Sequence, residues 1–282
     1  MAYADKIFKD NLRNVLVNGV WDTDYNVRPK WSDSSPAHTK YITHVVNTYD
    51  IAKEGLPILT IRPIAWKTGL KEIFWIYQDQ SNDVDVLEEK YNVNYWREWA
   101  NEFNHLGTAY GYQMAKKINF PEGTYKQLDR VIHLLKTDPM NRRITTNMLP
   151  LDEMIYMELP ACCYETWWSV REGYLDMMLI QRSGDLIPAA GALNVTQYAL
   201  LLTMISQITG YRVGKMTHVI NNLHIYNRHL EIAEKLLNRK EYEQPILHVN
   251  SKIDDFYDFR VEDFKLENYQ HGEQIKDIPI AI

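Results

Sequence analysis

Apolar residues recur at mixed steps of three and four over residues 5–18, at Ile7, Phe8, Leu12, Val15, Leu16 and Val17. That period predicts an amphipathic helix, which Gly19 ends. The pattern is lost over residues 21–40. Asp22, Asp24, Asn26, Pro29, Ser32, Asp33, Ser34, Ser35 and Pro36 predict a long loop there, and long loops inside compact domains are often functional. Alternating β-branched residues return at 41–48 and 57–62, which read as two strands. From 66 to 78 the period is helical again, with Trp66, Leu70, Ile73, Phe74 and Tyr77 on one face. Glu72 lies among them. Periodicity alone makes it a solvent-facing residue of an ordinary helix; the alternative is a carboxylate held where charge is costly.

Residues 95–99 are dense in aromatics, and a glycine-containing loop follows at 107–111. A helix is predicted over 124–136. The pair Arg142-Arg143 stands outside any helical charge ladder, as an anion site or a subunit contact. A hairpin is predicted between Cys163 and Gln181. Residues 195–208 are apolar nearly all round, which predicts a central helix buried on more than one side and capped by Gly210. A shorter helix follows at 226–237. The apolar end, Ile278-Pro279-Ile280-Ala281-Ile282, is expected to dock against the body of the protein. No repeat, low-complexity tract or linker divides the chain, so one domain over 1–282 is expected.

Composition narrows the function. At 282 residues and 45% apolar, the chain has enough material for a sizeable core. A net charge of -6 argues against nucleic acid as the main partner, because backbone phosphates call for a basic face. The two cysteines are neighbours, Cys162 and Cys163, so no disulfide framework is expected. No signal-peptide core opens the sequence and no uninterrupted apolar run reaches about 18 residues. A cytoplasmic protein with no membrane association is therefore expected. Ligand spacings for a metal and phosphate-binding glycine loops are absent from the sequence.

What remains is a chemistry set between residues 159 and 226: a thiol, an arginine beside a serine, an amide, and a His/Tyr pair. A cysteine becomes a nucleophile when a positive neighbourhood lowers its pKa, and Arg182, Arg142 and Arg143 are the candidates to supply it; the alternative is a buried, inert thiol. In an extended segment only one of Cys162 and Cys163 can face a site. Arg28 and Lys30, in the predicted loop, are either phosphate ligands or solvated side chains.

Several marks in register resemble the folate-dependent thymidylate synthase family, over almost the whole chain. They are Lys71-Glu72-Ile73-Phe74-Trp75, Trp96-Arg97-Glu98-Trp99, Ala109-Tyr110-Gly111, Arg142-Arg143-Ile144, Cys162, Gln181-Arg182-Ser183 with Asp185, Asn194, His224-Ile225-Tyr226 and Ala281-Ile282. The resemblance implies an α/β (α+β) fold in which a large mixed sheet is packed by helices and pairs two subunits. It implies a homodimeric enzyme moving one carbon from 5,10-methylenetetrahydrofolate to C5 of dUMP.

The roles implied are specific. Cys162 attacks C6 of the ring. Arg182 and Ser183 hold the phosphate, with Arg28 and with Arg142 and Arg143 from the second subunit. Asn194 reads the uracil edge, His224 and Tyr226 the ribose, and Asp185 the pterin. Glu72 orders water for proton transfers, with Tyr110 also catalytic, while Trp96 and Ile282 wall the cofactor side.

The sequence departs from the family pattern at Ala161 and Cys163, at Met148-Leu149-Pro150, over residues 186–193 and at Asn221-Asn222. These departures crowd around the cofactor and ring while the nucleophile and phosphate set is intact. They favour water attack on the exocyclic intermediate, hence 5-hydroxymethyl-dUMP as product. The alternative product is dTMP with dihydrofolate, and a further alternative is a degenerate homologue binding nucleotide or RNA.

Overall fold

The computed structural model describes residues 2–282. Its elements run α1 (Tyr3–Asn18), β1 (Val20–Trp21), β2 (Thr39–Asp50), α2 (Ile51–Glu54), α3 (Trp66–Ile73), α4 (Val84–Tyr91), α5 (Gly111–Ala115), β3 (Lys117–Phe120), β4 (Gly123–Lys126), α6 (Gln127–Thr137), β5 (Thr145–Asn147), β6 (Cys163–Arg171), β7 (Tyr174–Asp185), α7 (Asn194–Thr209), β8 (Arg212–Tyr226), α8 (Leu230–Leu237), β9 (Ile246–Val249) and β10 (Phe264–Glu267). Six strands form one mixed sheet in the order β1-β2-β8-β7-β6-β5.

The β6–β7 hairpin turns at Glu172 and Gly173, both at positive φ (52° and 78°), the two-residue turn whose twist matches its strands. β7 and β8 are parallel, and parallel neighbours need a long crossover between them. α7 is that crossover. It is buried on more than one side, from Val195 through Ile205, as its apolar run predicts.

Leu186–Thr209, mean hydropathy 1.3, is the one described helical stretch long and apolar enough to cross a membrane, and 67% of its most apolar window is covered by protein. It is a core helix here. β7 and β8 run the same way, so Asp185 lies opposite His224 and Ser183 opposite Asn222, and α7 begins at the same end of the sheet. β6 starts there too, with Cys163 paired to Gln181.

Several expectations change. The loop at 21–40 contracts to residues 22–38, because Trp21 and Thr39 are already in strands. Residues 123–126 form β4 rather than the start of α6, and residues 227–229 are a 3₁₀ turn before α8. The helix from Trp66 widens into a π-turn over Phe74–Gln78.

Residues 57–62 are buried but form no strand. Their backbone is satisfied from elsewhere, as burial requires. Asp5 Oδ1 accepts from Thr60 N (2.9 Å) and Ile61 N (3.3 Å), Tyr269 donates to Leu59 O (2.8 Å), Arg239 to Ile61 O (3.1 Å) and Thr196 to Pro57 O (2.9 Å). The carboxyl end docks: Lys30 N donates to Ile282 O (2.7 Å) and Ile282 N to Lys30 O (3.0 Å).

Candidate active site

Cys162 sits half-buried just before β6, and Cys163, first in the strand, turns into the core. Burial, then the neighbouring Cys162 and Glu72, push the Cys163 thiol up, which suits an inert core residue. Arg182, on β7, reaches the Cys162 thiol at 3.7 Å (Nη2 to Sγ). The same side chain donates to Pro160 O (2.5 Å) and Ala161 O (3.1 Å), and its backbone N–H to Cys162 O (2.9 Å). One guanidinium thus holds the turn that presents the thiol and places positive charge beside it.

Tyr110 closes the other side. Its hydroxyl accepts from Cys162 N at 3.3 Å, and it is a non-glycine residue at φ 52°, a costly conformation that surrounding packing sustains. Its ring meets Trp96 edge-on at 4.9 Å. Burial and the nearby Cys162 hold its hydroxyl well above the ordinary tyrosine range.

Glu72 is 3% exposed, which corrects the solvent-facing reading. The hydroxyl of Tyr95 and the indole of Trp96 donate to one carboxylate oxygen and the Gln197 amide to the other. Burial pushes its pKa up while these three donors oppose the rise.

Asn194, at the start of α7, donates to Gln197 Oε1 (2.9 Å) and accepts from Gln181 Nε2 (3.2 Å). His224 is buried, bonded to Asn222 Oδ1 at 2.9 Å, and burial lowers its pKa, so it is neutral at physiological pH. Tyr226 packs edge-on against it at 5.1 Å.

Asp185 Oδ1 accepts from Ile187 N (3.1 Å), and its Oδ2 lies 3.7 Å from His229 Nδ1. Ser183 lies beside it on β7. Residues 186–193 continue into α7 as a π-helical turn rather than a loop, with Arg62 donating to Ile187 O.

Other expected residues lie apart. Arg28 is exposed in the 22–38 loop, near enough for its charge to act on Tyr226. Arg142 and Arg143 are exposed in the turn before β5, where Arg130 donates to Arg143 O (2.8 Å). Of the three arginines expected to activate the thiol, Arg182 alone contacts it within this chain.

Trp96 packs against Trp75, Tyr95, Trp99 and Tyr110, and Ile282 is half-exposed at the docked end. No group of three metal-ligating side chains occurs among the described residues. Sequence reasoning passed over Gln197, His218, Arg62 and His229 as site residues. The signal for Gln197 was a long amide inside the apolar run of α7, one turn after Asn194.

A family model described as thymidylate synthase matches residues 6–281. The chain belongs to the thymidylate synthase family. Thymidylate synthase 1 of Bacillus spizizenii is 39% identical over 277 residues, covering 98% of both chains. The thymidylate synthase of Bacillus phage phi3T is 38% identical with the same coverage. The solved thermostable thymidylate synthase A from Bacillus subtilis superposes with a TM-score of 0.93 at 38% identity, covering 99% of each chain.

Within this thymidylate synthase fold the departures noted in the sequence take structural roles. Ala161 offers its carbonyl to Arg182, Met148 N donates to Tyr164 O (2.7 Å), and Asn222 holds the His224 ring.

Proposed function

We propose that this chain is a thymidylate synthase that converts dUMP and 5,10-methylenetetrahydrofolate to dTMP and dihydrofolate. The observation that carries the reading is the half-buried Cys162 thiol under the Arg182 guanidinium, at the sheet end that also presents Asn194, His224 and Tyr226. Cys162 attacks C6 of the pyrimidine, and saturation of the 5,6 bond makes C5 nucleophilic. Arg182, through the two N–H groups of Nη1, and Ser183 hold the phosphate together with Arg28. Asn194 pairs with the ring edge, and His224 and Tyr226 with the ribose. Glu72 orders water for proton movements and Tyr110 positions the Cys162 backbone.

The residues present fit the folate. Asp185 keeps an oxygen for a ligand N–H, and Arg62 has a buried Nε without a partner. When bound, the folate supplies the one-carbon unit and the hydride.

The sequence departures favoured 5-hydroxymethyl-dUMP, but the relatives named above are called thymidylate synthases. The packed Trp96 and the docked Ile282 support dTMP as well, since both help keep water from the exocyclic intermediate. The enzyme works as one domain over 1–282 and as a homodimer through the sheet face carrying Val46 and Met178, both exposed in this chain. Arg142 and Arg143 then reach the site of the second copy. Two free thiols suit a reducing cytoplasm.

The assay is purified protein with dUMP and methylenetetrahydrofolate, reading the nucleotide by mass and dihydrofolate by absorbance. One dihydrofolate per dTMP is expected; consumption of dUMP with no dihydrofolate sinks the dTMP reading. Cys162→Ser is expected to lose essentially all turnover. Cys163→Ser keeps turnover while losing about 1–3 kcal/mol of stability, because it buries a hydroxyl.

A further inference from the structure

An asparagine discriminates uracil from cytosine only if its amide cannot turn over. Uracil offers an acceptor at O4 and a donor at N3, and cytosine reverses both. A half-turn of the amide exchanges its own donor and acceptor with almost no change of shape, so a free Asn194 suits either ring.

Asn194 is bonded on both sides by buried amides. On one side Gln181 is 1% exposed and its Nε2 donates to Ser183 O at 2.9 Å. That backbone acceptor fixes the flip of Gln181, whose Nε2 also faces Asn194 Oδ1 and whose Oε1 faces His218 Nε2 at 2.7 Å. On the other side Gln197, 5% exposed, turns its Nε2 to the Glu72 carboxylate and to Gly69 O (3.4 Å), a carbonyl that can only accept. Its Oε1 is therefore left to take the proton of Asn194 Nδ2 at 2.9 Å. Gly69 makes the room, because a Cβ there would stand 2.6 Å from Gln197 Cγ.

We propose that Gln197 is a positioning residue that locks the Asn194 amide in its uracil-reading orientation by spanning from Asn194 to Glu72. The inference rests on dUMP being the substrate. In this arrangement nucleobase choice belongs to the bonded row Gln181–Asn194–Gln197–Glu72, and Asn194 alone does not set it.

The test is calorimetric binding of dUMP and of dCMP to the purified full chain. The parent is expected to bind dUMP more tightly. Gln197→Met keeps the length but neither bonding end, and is expected to narrow the dCMP-to-dUMP ratio of Kd about tenfold. A merely structural role would lower the bound stoichiometry and leave that ratio alone.

Gln197→Asn, a methylene too short to span, serves if the first variant does not fold, and is expected to narrow the ratio as well. Gln197→Glu still accepts from Asn194, and a proton shared with the buried Glu72 carboxyl replaces the lost amide N–H, so it is expected to keep the preference. An unchanged ratio in Gln197→Met or Gln197→Asn overturns the proposal, as does a lost preference in Gln197→Glu. A parent with no preference for dUMP overturns the substrate reading, and this one with it.

Discussion

His218 is fully buried with its Nδ1 unpaired, and burial lowers its pKa to about 3. Its Nε2–H donates to Gln181, and a second proton on the buried Nδ1 would find neither acceptor nor counter-charge, so the native state holds the neutral ring. A histidine whose folded pKa lies below the unfolded value binds its proton only after unfolding. Its contribution to stability is therefore whole above about pH 6.5 and is lost as the pH falls toward its folded pKa. Between pH 6.5 and 5 this one group removes about 2 kcal/mol. His224, also lowered by burial, pulls the same way. His229 opposes both: burial lowers its pKa, but the Asp185 carboxylate outweighs that and raises it. Urea unfolding at both pH values is expected to show a smaller acid loss in His218→Asn than in the parent. Equal losses would refute the assignment.

Two helices meet where the site is built. α3 carries Glu72, α7 carries Asn194 and Gln197, and they approach across Gly69. Alanine at that position gains helix propensity worth about 1 kcal/mol but lands 2.6 Å from Gln197 Cγ and 3.0 Å from Leu193 Cδ1. Gly69→Ala is expected to hold its Tm within a few degrees and to lose about tenfold in kcat/KM for dUMP through displacement of Gln197. Full activity would show that the approach of the helices does not set the site.

The same elements show how far a sequence can be read. α1 follows from apolar periodicity, and α7 from an apolar run too continuous for a surface helix. Residues 57–62 alternate like a strand, yet their hydrogen bonds come from Asp5, Thr196, Arg239 and Tyr269, residues that no local pattern brings together. Pro188 and Gly191 signal a loop, whereas a π-turn accommodates both and runs into α7. Cys162, Arg182, Asn194, His224 and Tyr226 could be picked out because they stand in register with a family pattern, and the structure brings them to one end of the sheet. Gln197 and the burial of Glu72 depend on contacts 125 residues apart in sequence and could not be.

At the scale of the molecule, the proposed homodimer assigns Arg142 and Arg143, exposed in this chain, to the phosphate of the second copy. Within this chain Arg182, and neither of these two, bonds to the Cys162 thiol, which fits a homodimer that exchanges them. Cys162→Ser and the double variant Arg142→Ala with Arg143→Ala are each expected to be inactive or nearly so. After being unfolded and refolded together, they are expected to recover about a quarter of parent turnover, because half the dimers carry one intact site. No recovery, with light scattering at twice 33.3 kDa, would place the arginines outside the shared site.

The parallel pairing of β7 with β8 also has a kinetic consequence. The thiol, the amide and the His/Tyr pair become neighbours only after α7 has crossed over and the 15-residue β8 has found its register beside β7. Pairing of this kind pays its loop-closure entropy before any contact rewards it and belongs to the slow end of folding. Helical signal is expected to return early in refolding, while turnover waits for the last strand to register. Recovered activity thus times the completion of the sheet.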